Sequence, residues 1–264
     1  MMSVGDMAYG LDLSILAPAF LAGVIVLLTH IPLGREVVKR GIIFIDLAIA
    51  QIAGLGVIIA FQFGWEMHGL EAQIAAITSA LLGAWLLHSI EEKAGQHLEA
   101  LIGVSFVLAA TASVLMLAHN PHGSEHIKEL LVGQILWVDW SQLLVAAVIS
   151  MIVVFVWFNF KNKIGSIGFY ILFAVSITSS VQLIGVYLVF TSLIVPALAA
   201  AKYQTKPALF LAGIIGITGY LSGLIVSALF DLPSGAVIVW CLAISALVLP
   251  VLLSKLFIPV KNNS

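Results

Sequence analysis

An acidic side chain, Asp46, stands inside a long apolar segment of the sequence. The segment reads IIFIDLAIAQIAGLGVII, and Asp46 follows the basic residue Arg40 by six positions. A carboxylate at hydrocarbon depth is unfavourable unless it faces a pore or a partner, so such a residue is a candidate for function. We interpret Asp46 as part of a path through the helices; a structural bond to a neighbouring helix is the alternative. Gln51 is the next polar side chain, and helical rotation places it about 140° away from Asp46.

A second group of oxygen-bearing residues lies in the segment GVYLVFTSLIVPALAAAKY, residues 185–203. Pro196 has no N–H to donate to the carbonyl of Ser192, so a helix here must bend or open. Freed carbonyls, together with the hydroxyls of Thr191 and Ser192, can line a path for a hard cation. The alternative is that each hydroxyl bonds back to its own helix and the proline only shapes the packing.

Three histidines, His119, His122 and His126, lie within one polar stretch, with Glu125 beside the last of them. Imidazole and carboxylate groups suit zinc and its neighbours, so these residues are candidate metal ligands in an outer loop. Their spacing matches no defined ligand set, and a solvated loop is the alternative interpretation.

Sequence motifs for catalysis are absent. There is no Gly-rich loop ending in Gly-Lys-Ser or Gly-Lys-Thr, no His-Glu-x-x-His and no Gly-x-Ser-x-Gly. The chain is therefore predicted not to be an enzyme and to bind no cofactor of its own. Any work against a gradient must then draw its energy from a partner or from a coupled ion.

The composition explains why these polar residues stand out. Of 264 residues, 62% are hydrophobic and 9% are charged, against about half and about a quarter in soluble domains. A water-soluble globule cannot cover so much apolar surface, whereas a bilayer supplies an apolar solvent. The sequence therefore predicts one all-α transmembrane bundle over residues 1–264, surrounded by lipid. The net charge of −2 provides no basic face for nucleic acid.

Apolar windows of about 20 residues predict eight to nine transmembrane spans, with nine as the preferred number. A tight turn near Val181–Gln182 is expected between the sixth and the seventh, and residues 160–169 form an inward loop. With the N-terminus outside and the C-terminus cytoplasmic, only Lys128 of the 11 Lys and Arg residues lies outside, as the positive-inside rule requires. The predicted spans are residues 13–33, 42–63, 71–90, 99–118, 141–159, 165–181, 183–201, 208–229 and 235–257.

Two further patterns indicate how the spans meet. The segment LLVGQILWV, residues 130–138, is too short to span a bilayer at about 1.5 Å per residue. We predict that it forms a helix at the outer face. Gly213, Gly216, Gly219 and Gly223 lie three or four residues apart and predict close helix contact in the eighth span.

Four parts of the sequence form an ordered set that covers most of the chain. They read FIDLAIAQIAGLGV (44–57), ALIGVSFVLAATAS (100–113), ELLVGQILWVDW (129–140), and GVYLVFTSLIVPALAAAKY (185–203) followed by SGLIVSALFDLPSGAVIV (222–239). Together they resemble the ABC-type zinc/manganese/iron permeases. The resemblance implies a permease of eight to nine spans that works as a homodimer in the bacterial inner membrane. It also implies two partners, a cytoplasmic ATP-binding subunit and an extracytoplasmic metal-binding protein, with Asp46 as a gate or transient site for the metal.

The sequence departs from this family at two points. The family's histidine, four residues after the acidic residue, is Ala50 here, and Gln51 is the nearest polar side chain. The family also has a longer inward loop after the fifth span, with a short helix that docks on the ATPase. Residues 160–169 leave little room for such a helix, so the loops 34–41 and 91–98 are further candidates for this contact.

The leading hypothesis is the permease subunit of an importer for a divalent metal ion (zinc, manganese or iron), with ATP hydrolysed by a separate subunit. Asp46, Gln51, Thr191 and Ser192 then lie on the transport path, and the helix at 129–140 closes its outer end. The alternatives are a secondary transporter that uses no ATPase and a structural membrane subunit with no transport role.

Overall fold

The computed structural model describes residues 12–66, 69–118, 120 and 123–253, and within these ranges the chain is helical without β-strands. Nine α-helices follow one another in the described part of the chain, with short 3₁₀ turns at Gly95–His97 and Ile135–Trp137. They are α1 (Leu13–Arg40), α2 (Ile45–Gln62), α3 (Leu70–Ala94), α4 (Leu98–Leu117), α5 (Gly123–Val132), α6 (Trp140–Ile184), α7 (Val186–Ala199), α8 (Thr205–Phe230) and α9 (Ser234–Leu252).

The 45-residue helix α6 folds back on itself at Gly165. This residue has φ 61° and ψ −162°, a backbone conformation that is adopted almost only by glycine. The rings of Trp157 and Phe169 lie 6.0 Å apart, although 12 residues of straight helix would separate them by about 18 Å. Gln142 and Gln182, near the two ends of α6, line one cavity. α6 is therefore an antiparallel pair of helices.

Seven of the described helices are long and apolar enough to cross a bilayer. One of these is α6, and its two halves contain the predicted spans 141–159 and 165–181. Helix α7 has 14 residues and is about 21 Å long, less than the ~30 Å hydrocarbon core of a bilayer. These lengths confirm the all-α membrane bundle, whereas the number of crossings and the orientation stay predictions. The prediction that residues 160–169 form a loop is wrong, because these residues are helical on both sides of Gly165. Gly165 alone reverses the direction of the chain.

Two other helix ends differ from the prediction because each depends on a glycine with positive φ. Helix α5 begins at Gly123, so the outer helix takes in the polar residues before the predicted segment 130–138, and Gly133 follows its end with φ 71°. The break before α7 lies at Gly185, with φ 78°, and α6 is still helical at the predicted turn, Val181–Gln182. Only glycine takes up such conformations without strain.

The glycines of α8 allow close packing on both sides of that helix. A Cβ atom on Gly216 would overlap Leu27 of α1, and a Cβ atom on Gly219 or Gly223 would overlap side chains of α9. Gly213 has no heavy atom within 4 Å of its Cβ position. The predicted close contact is therefore confirmed for three of the four glycines.

Charged side chains from three parts of the chain meet at one end of the bundle. Glu36 of α1 accepts hydrogen bonds from Arg40 at 3.1 Å and from Lys161 at 2.8 Å. Arg40 also donates to the Ser166 hydroxyl at 3.0 Å, and Ser166 donates to Glu91 of α3 at 2.6 Å. This ionic cluster joins the ends of α1 and α3 to the reversal of α6. All five residues belong to segments predicted to lie at the inner side.

Candidate transport path

Asp46 lies in the first turn of α2 and is only 1% exposed. Both of its carboxylate oxygens lack a hydrogen-bond partner among the described residues. Because Asp46 stands in the first turn of α2, the positive end of the helix dipole favours an anion there. A buried carboxylate is still costly until a cation or a proton joins it. Asp46 is therefore placed to attract a cation.

A cavity of about 520 Å³ lies beside the middle of α2. Its wall is mostly apolar and comes from α2, α4, α5, α6, α7 and α9. Gln51 of α2 and Thr191 of α7 both line this deep cavity, so the structure brings these two predicted residues together. The Thr191 hydroxyl donates to the carbonyl of Tyr187 at 2.8 Å, which leaves its oxygen lone pairs to accept from or ligate a guest. Ala50, at the position of the family's histidine, lines the same cavity.

Asp46 does not line the deep cavity. Its neighbour Leu47 does line the cavity. Ala50 follows Asp46 by four residues, so the two side chains lie on the same face of α2, one turn apart. A cation that moves along this face from the deep cavity would meet the Asp46 carboxylate next.

Ser192 has different surroundings from its neighbour Thr191. It is fully buried, and its hydroxyl donates to the carbonyl of Leu188 at 2.7 Å. Its oxygen also lies 2.8 Å from the hydroxyl of Tyr220 on α8. Because Ser192 has only one proton, Tyr220 is the donor in this second bond. Ser192 thus ties α7 to α8, away from the deep cavity.

A smaller cavity, of about 240 Å³, lies at the end of the bundle opposite the ionic cluster. His126 and Glu129, on one face of α5, line it together with Gln134. Gln134 donates to Glu129 at 3.1 Å, and the His126 Nδ1 atom lies 3.7 Å from the other Glu129 oxygen. An imidazole and a carboxylate in this outer cavity can bind a metal ion loosely. The predicted ligands His119 and His122 lie outside the described residues.

Helix α5 stands between the two cavities. Leu130 lines both of them, whereas Ile127 and Leu131 line only the deep cavity and His126 and Glu129 line only the outer one. The role of the outer helix in closure stays a prediction. Any solute that passes from the outer to the deep cavity must displace or bypass α5.

Helix α2 runs past every part of this arrangement. Val57 borders the outer cavity, while residues from Leu47 to Ile58 contribute to the wall of the deep cavity, and Asp46 precedes them. Both cavities and the buried carboxylate thus lie beside a single helix. Within the described residues, no three His, Cys, Asp or Glu side chains gather as a metal site.

The sequence analysis missed two carboxylates. Glu129 follows His126 by three residues, and this helical spacing would have revealed the pair if α5 had been predicted to begin at Gly123. Glu99, in the first turn of α4, accepts a hydrogen bond from the backbone N–H of Phe44 at 3.2 Å. The two residues are 55 positions apart, and no local signal in the sequence connects them.

Comparison with protein families gives a match over nearly the whole described chain. A sequence model described as the ABC 3 transport family matches residues 12–169 and 158–253. Among similar proteins, a Chlamydia muridarum chain named "Probable metal transport system membrane protein" is 23% identical over 253 residues, which are 87% of this chain and 86% of that one. A Haemophilus influenzae chain named "Probable iron transport system membrane protein" is 26% identical over 243 residues, 84% of this chain and 87% of that one.

Solved structures share the fold at low sequence identity. A chain in the structure of PsaBC from Streptococcus pneumoniae in complex with Fab superposes with a TM-score of 0.74 and 21% identity, over 93% of this chain and 95% of that one. A structure described as a metal-chelate type ABC transporter in an inward-facing conformation gives a TM-score of 0.63 and 17% identity, over 90% and 85%. The helical arrangement described above is therefore one that known transporters also adopt.

Proposed function

Because the chain belongs to the ABC 3 transport family and is a membrane subunit of that family, we propose that it carries a divalent metal ion inward while a separate subunit hydrolyses ATP. It is a multi-pass membrane protein, and in bacteria its place is the inner membrane. The names of its relatives refer to metal and iron transport. They support a metal substrate of the class that includes zinc, manganese and iron.

The observation that carries this proposal is the burial of the Asp46 carboxylate without a hydrogen-bond partner among the described residues. The carboxylate belongs to the first turn of α2. A group of this kind is stable only in a polar lining or next to a cation, and in a membrane bundle it marks an ion path. The adjacent residue Leu47 lines the deep cavity, which also has Gln51 and Thr191 in its wall. An isolated carboxylate with neutral oxygens nearby binds a cation weakly enough to release it.

Three partners complete the proposal: a second copy of the chain, a cytoplasmic ATP-binding subunit and an extracytoplasmic metal-binding protein. The ionic cluster supports one location for the ATP-binding subunit. Its hydrogen bonds connect the segments 34–41 and 91–98 with the reversal at Gly165. A displacement of one of these three segments by the ATP-binding subunit would therefore be transmitted to the other two. We propose this end of the bundle as the docking face. The extracytoplasmic protein would deliver its metal at the outer cavity, beside His126 and Glu129.

Transport by the purified complex tests the function. The chain, assembled with its ATP-binding subunit, is placed in lipid vesicles, and uptake of Mn²⁺, Fe²⁺ and Zn²⁺ is measured with and without ATP. Asp46→Asn removes the charge at constant shape and is expected to lower uptake by about tenfold or more. Asp231→Asn is the matched control, because Asp231 is exposed after α8 with φ 52° and asparagine accepts that conformation.

Each result of this experiment has a definite meaning. ATP-dependent uptake that fails in Asp46→Asn and persists in Asp231→Asn supports the proposal. Equal uptake by both variants would remove Asp46 from the path. Uptake that does not depend on ATP would favour the secondary transporter, and no uptake of any of the three ions would favour a subunit without a transport role.

A further inference from the structure

A carboxylate from a second helix lies at the start of α2. Glu99 belongs to the first turn of α4, and its Oε1 atom accepts the N–H of Phe44 at 3.2 Å. Phe44 is the N-cap residue, directly before the first residue of α2. One oxygen of Glu99 is therefore fixed at the N-terminus of α2, and the position of the other follows from it.

The free oxygens of Glu99 and Asp46 are both buried. The Oε2 atom of Glu99 and both carboxylate oxygens of Asp46 are shielded from solvent, and none of the three has a hydrogen-bond partner among the described residues. Asp46 comes two positions after Phe44, and Cα atoms two apart in a helix are separated by about 5–6 Å. Two acidic side chains, one from α2 and one from α4, thus lie at the same end of α2.

Such an arrangement is electrostatically unfavourable by itself. Two carboxylates in a buried region repel each other, and each loses the hydration it had in water. The start of α2 offsets part of this energy, because the helix dipole is positive there. The rest is removed only if a cation or a shared proton joins the pair. A divalent cation neutralises both charges, and carboxylate oxygens are the ligands that hard divalent ions prefer.

We infer that Asp46 and Glu99 together form a binding site for a hard divalent cation at the end of α2. Asp46 supplies both oxygens and Glu99 supplies Oε2, while the Phe44 N–H holds Glu99 in position. The inference rests on the proposed function and extends it, because Glu99 becomes the second ligand of the transported ion. The site lies beyond the deep cavity as seen from the outer cavity, so an ion reaches it last.

Substitution of Glu99 by glutamine separates its two roles. The amide oxygen of glutamine can still accept the Phe44 N–H, so the start of α2 keeps its hydrogen bond. The negative charge and the free carboxylate oxygen are lost. Glu99→Gln is therefore expected to fold as the wild type does and to bind the cation about tenfold more weakly or worse. Glu71→Gln is the matched control, since Glu71 is an exposed carboxylate in the first turn of α3.

The probe is Mn²⁺ alone, titrated into the purified full-length chain in lipid nanodiscs, with free Mn²⁺ measured by electron paramagnetic resonance. The wild type and Glu71→Gln are expected to bind with the same affinity. Glu99→Gln and Asp46→Asn are each expected to bind Mn²⁺ about tenfold more weakly or worse. The double variant is expected to have the same weak affinity as either single variant. Such non-additivity is the signature of two ligands to one ion.

Wild-type affinity in Glu99→Gln would overturn the inference, because Glu99 would then only cap α2. A wild-type chain that binds no Mn²⁺ would also overturn it and would favour a shared proton between the two carboxylates. If Glu99→Gln does not give folded protein, Glu99→Asp decides: weaker binding supports the site, and unchanged binding overturns it. Vesicle uptake remains a separate readout, so loss of this site leaves the proposed function standing if wild-type transport is intact.

Discussion

Gly133 and Gly185 meet backbone to backbone where α5 ends and α7 begins. A Cβ atom on Gly133 would overlap the carbonyl group of Ile184, and a Cβ atom on Gly185 would overlap the N–H of Gly133. Both glycines have positive φ, 71° and 78°. The contact fixes the end of α5, the helix between the two cavities, against the reversal that leads into α7. The position of α5 beside the two cavities therefore depends on two residues that have no side chain.

Gly133→Ala is expected to destabilise the contact between the end of α5 and the start of α7. The added methyl group must take up a left-handed conformation, at about 1–2 kcal/mol, and must also displace the Ile184 carbonyl, at about 1–3 kcal/mol. The midpoint of thermal unfolding of the purified chain, followed by tryptophan fluorescence, should fall clearly. Gly64→Ala separates the two effects, because Gly64 has φ 88° and no heavy atom within 4 Å of its Cβ position. Equal losses in the two variants would show that the backbone contact contributes nothing.

The fold could be predicted from the sequence to the extent that it depends on single segments. Hydropathy identifies each apolar helix by itself, because a bilayer acts on every span independently of its neighbours. Chain reversals are harder, since they depend on which glycine adopts the unusual conformation. Gly165 and Gly185 make the sharp breaks in the C-terminal half, and nothing local distinguishes them from Gly168, which stays helical.

The candidate site shows the same limit. Asp46 was predictable because a carboxylate inside an apolar run is conspicuous. Glu99 was not, because it lies at the edge of a span, where a charged residue is ordinarily solvated. Its importance comes only from a contact with Phe44, a residue of another helix. Thr191 and Ser192 are neighbours in the sequence, and only the packing of α7 reveals that one faces the deep cavity and the other faces Tyr220.

Thr191 and Ser192 should therefore respond differently to loss of the hydroxyl. Thr191→Val keeps the shape of the cavity wall and removes a hydroxyl from it. If that hydroxyl contacts the passing ion, as proposed, metal uptake should be several-fold slower with little change in unfolding temperature. Ser192→Ala leaves the buried Tyr220 hydroxyl without its acceptor, and we expect a loss of about 1–3 kcal/mol in the free energy of unfolding. Uptake by the folded fraction should be unchanged.

The Ser192 effect can be checked by removal of its partner. Replacing both partners of a buried hydrogen bond by apolar groups is close to neutral, so adding Tyr220→Phe to Ser192→Ala should restore part of the lost stability. A double variant that is less stable than Ser192→Ala alone would contradict the assigned bond.

The ionic cluster predicts a stability effect that depends on salt. Glu36→Gln removes the charge that pairs with both Arg40 and Lys161. Since these bonds are charge-assisted and partly shielded, we expect a loss of about 2 kcal/mol at low ionic strength. The difference from the wild type should shrink at about 1 M salt, where the Debye length is about 3 Å. Thermal unfolding in both conditions measures this, with Glu71→Gln as the exposed control; a loss that ignores salt would point to packing instead.

Ala50 offers a gain-of-function test of the path. It lines the deep cavity and lies one turn from Asp46 on the same face of α2, so Ala50→His places an imidazole next to the carboxylate. A histidine and an aspartate together suit Zn²⁺ better than the aspartate alone, and we expect Zn²⁺ to bind about tenfold more tightly or better. Release should become slower, because an ion leaves a transport site only if its bonds there are weak. Vesicle uptake of Zn²⁺ should therefore fall although equilibrium binding rises.

Ala110→His provides the matched control for this gain, since Ala110 lines the same cavity from α4. Its imidazole would lie on another helix, without the one-turn spacing to Asp46. Tighter Zn²⁺ binding in Ala50→His, absent from Ala110→His and abolished when Asp46→Asn is added, would establish that Asp46 is within reach of an ion in the deep cavity. If both histidine variants bind alike, the imidazole acts without Asp46, and the deep cavity and the buried carboxylate do not belong to one continuous path.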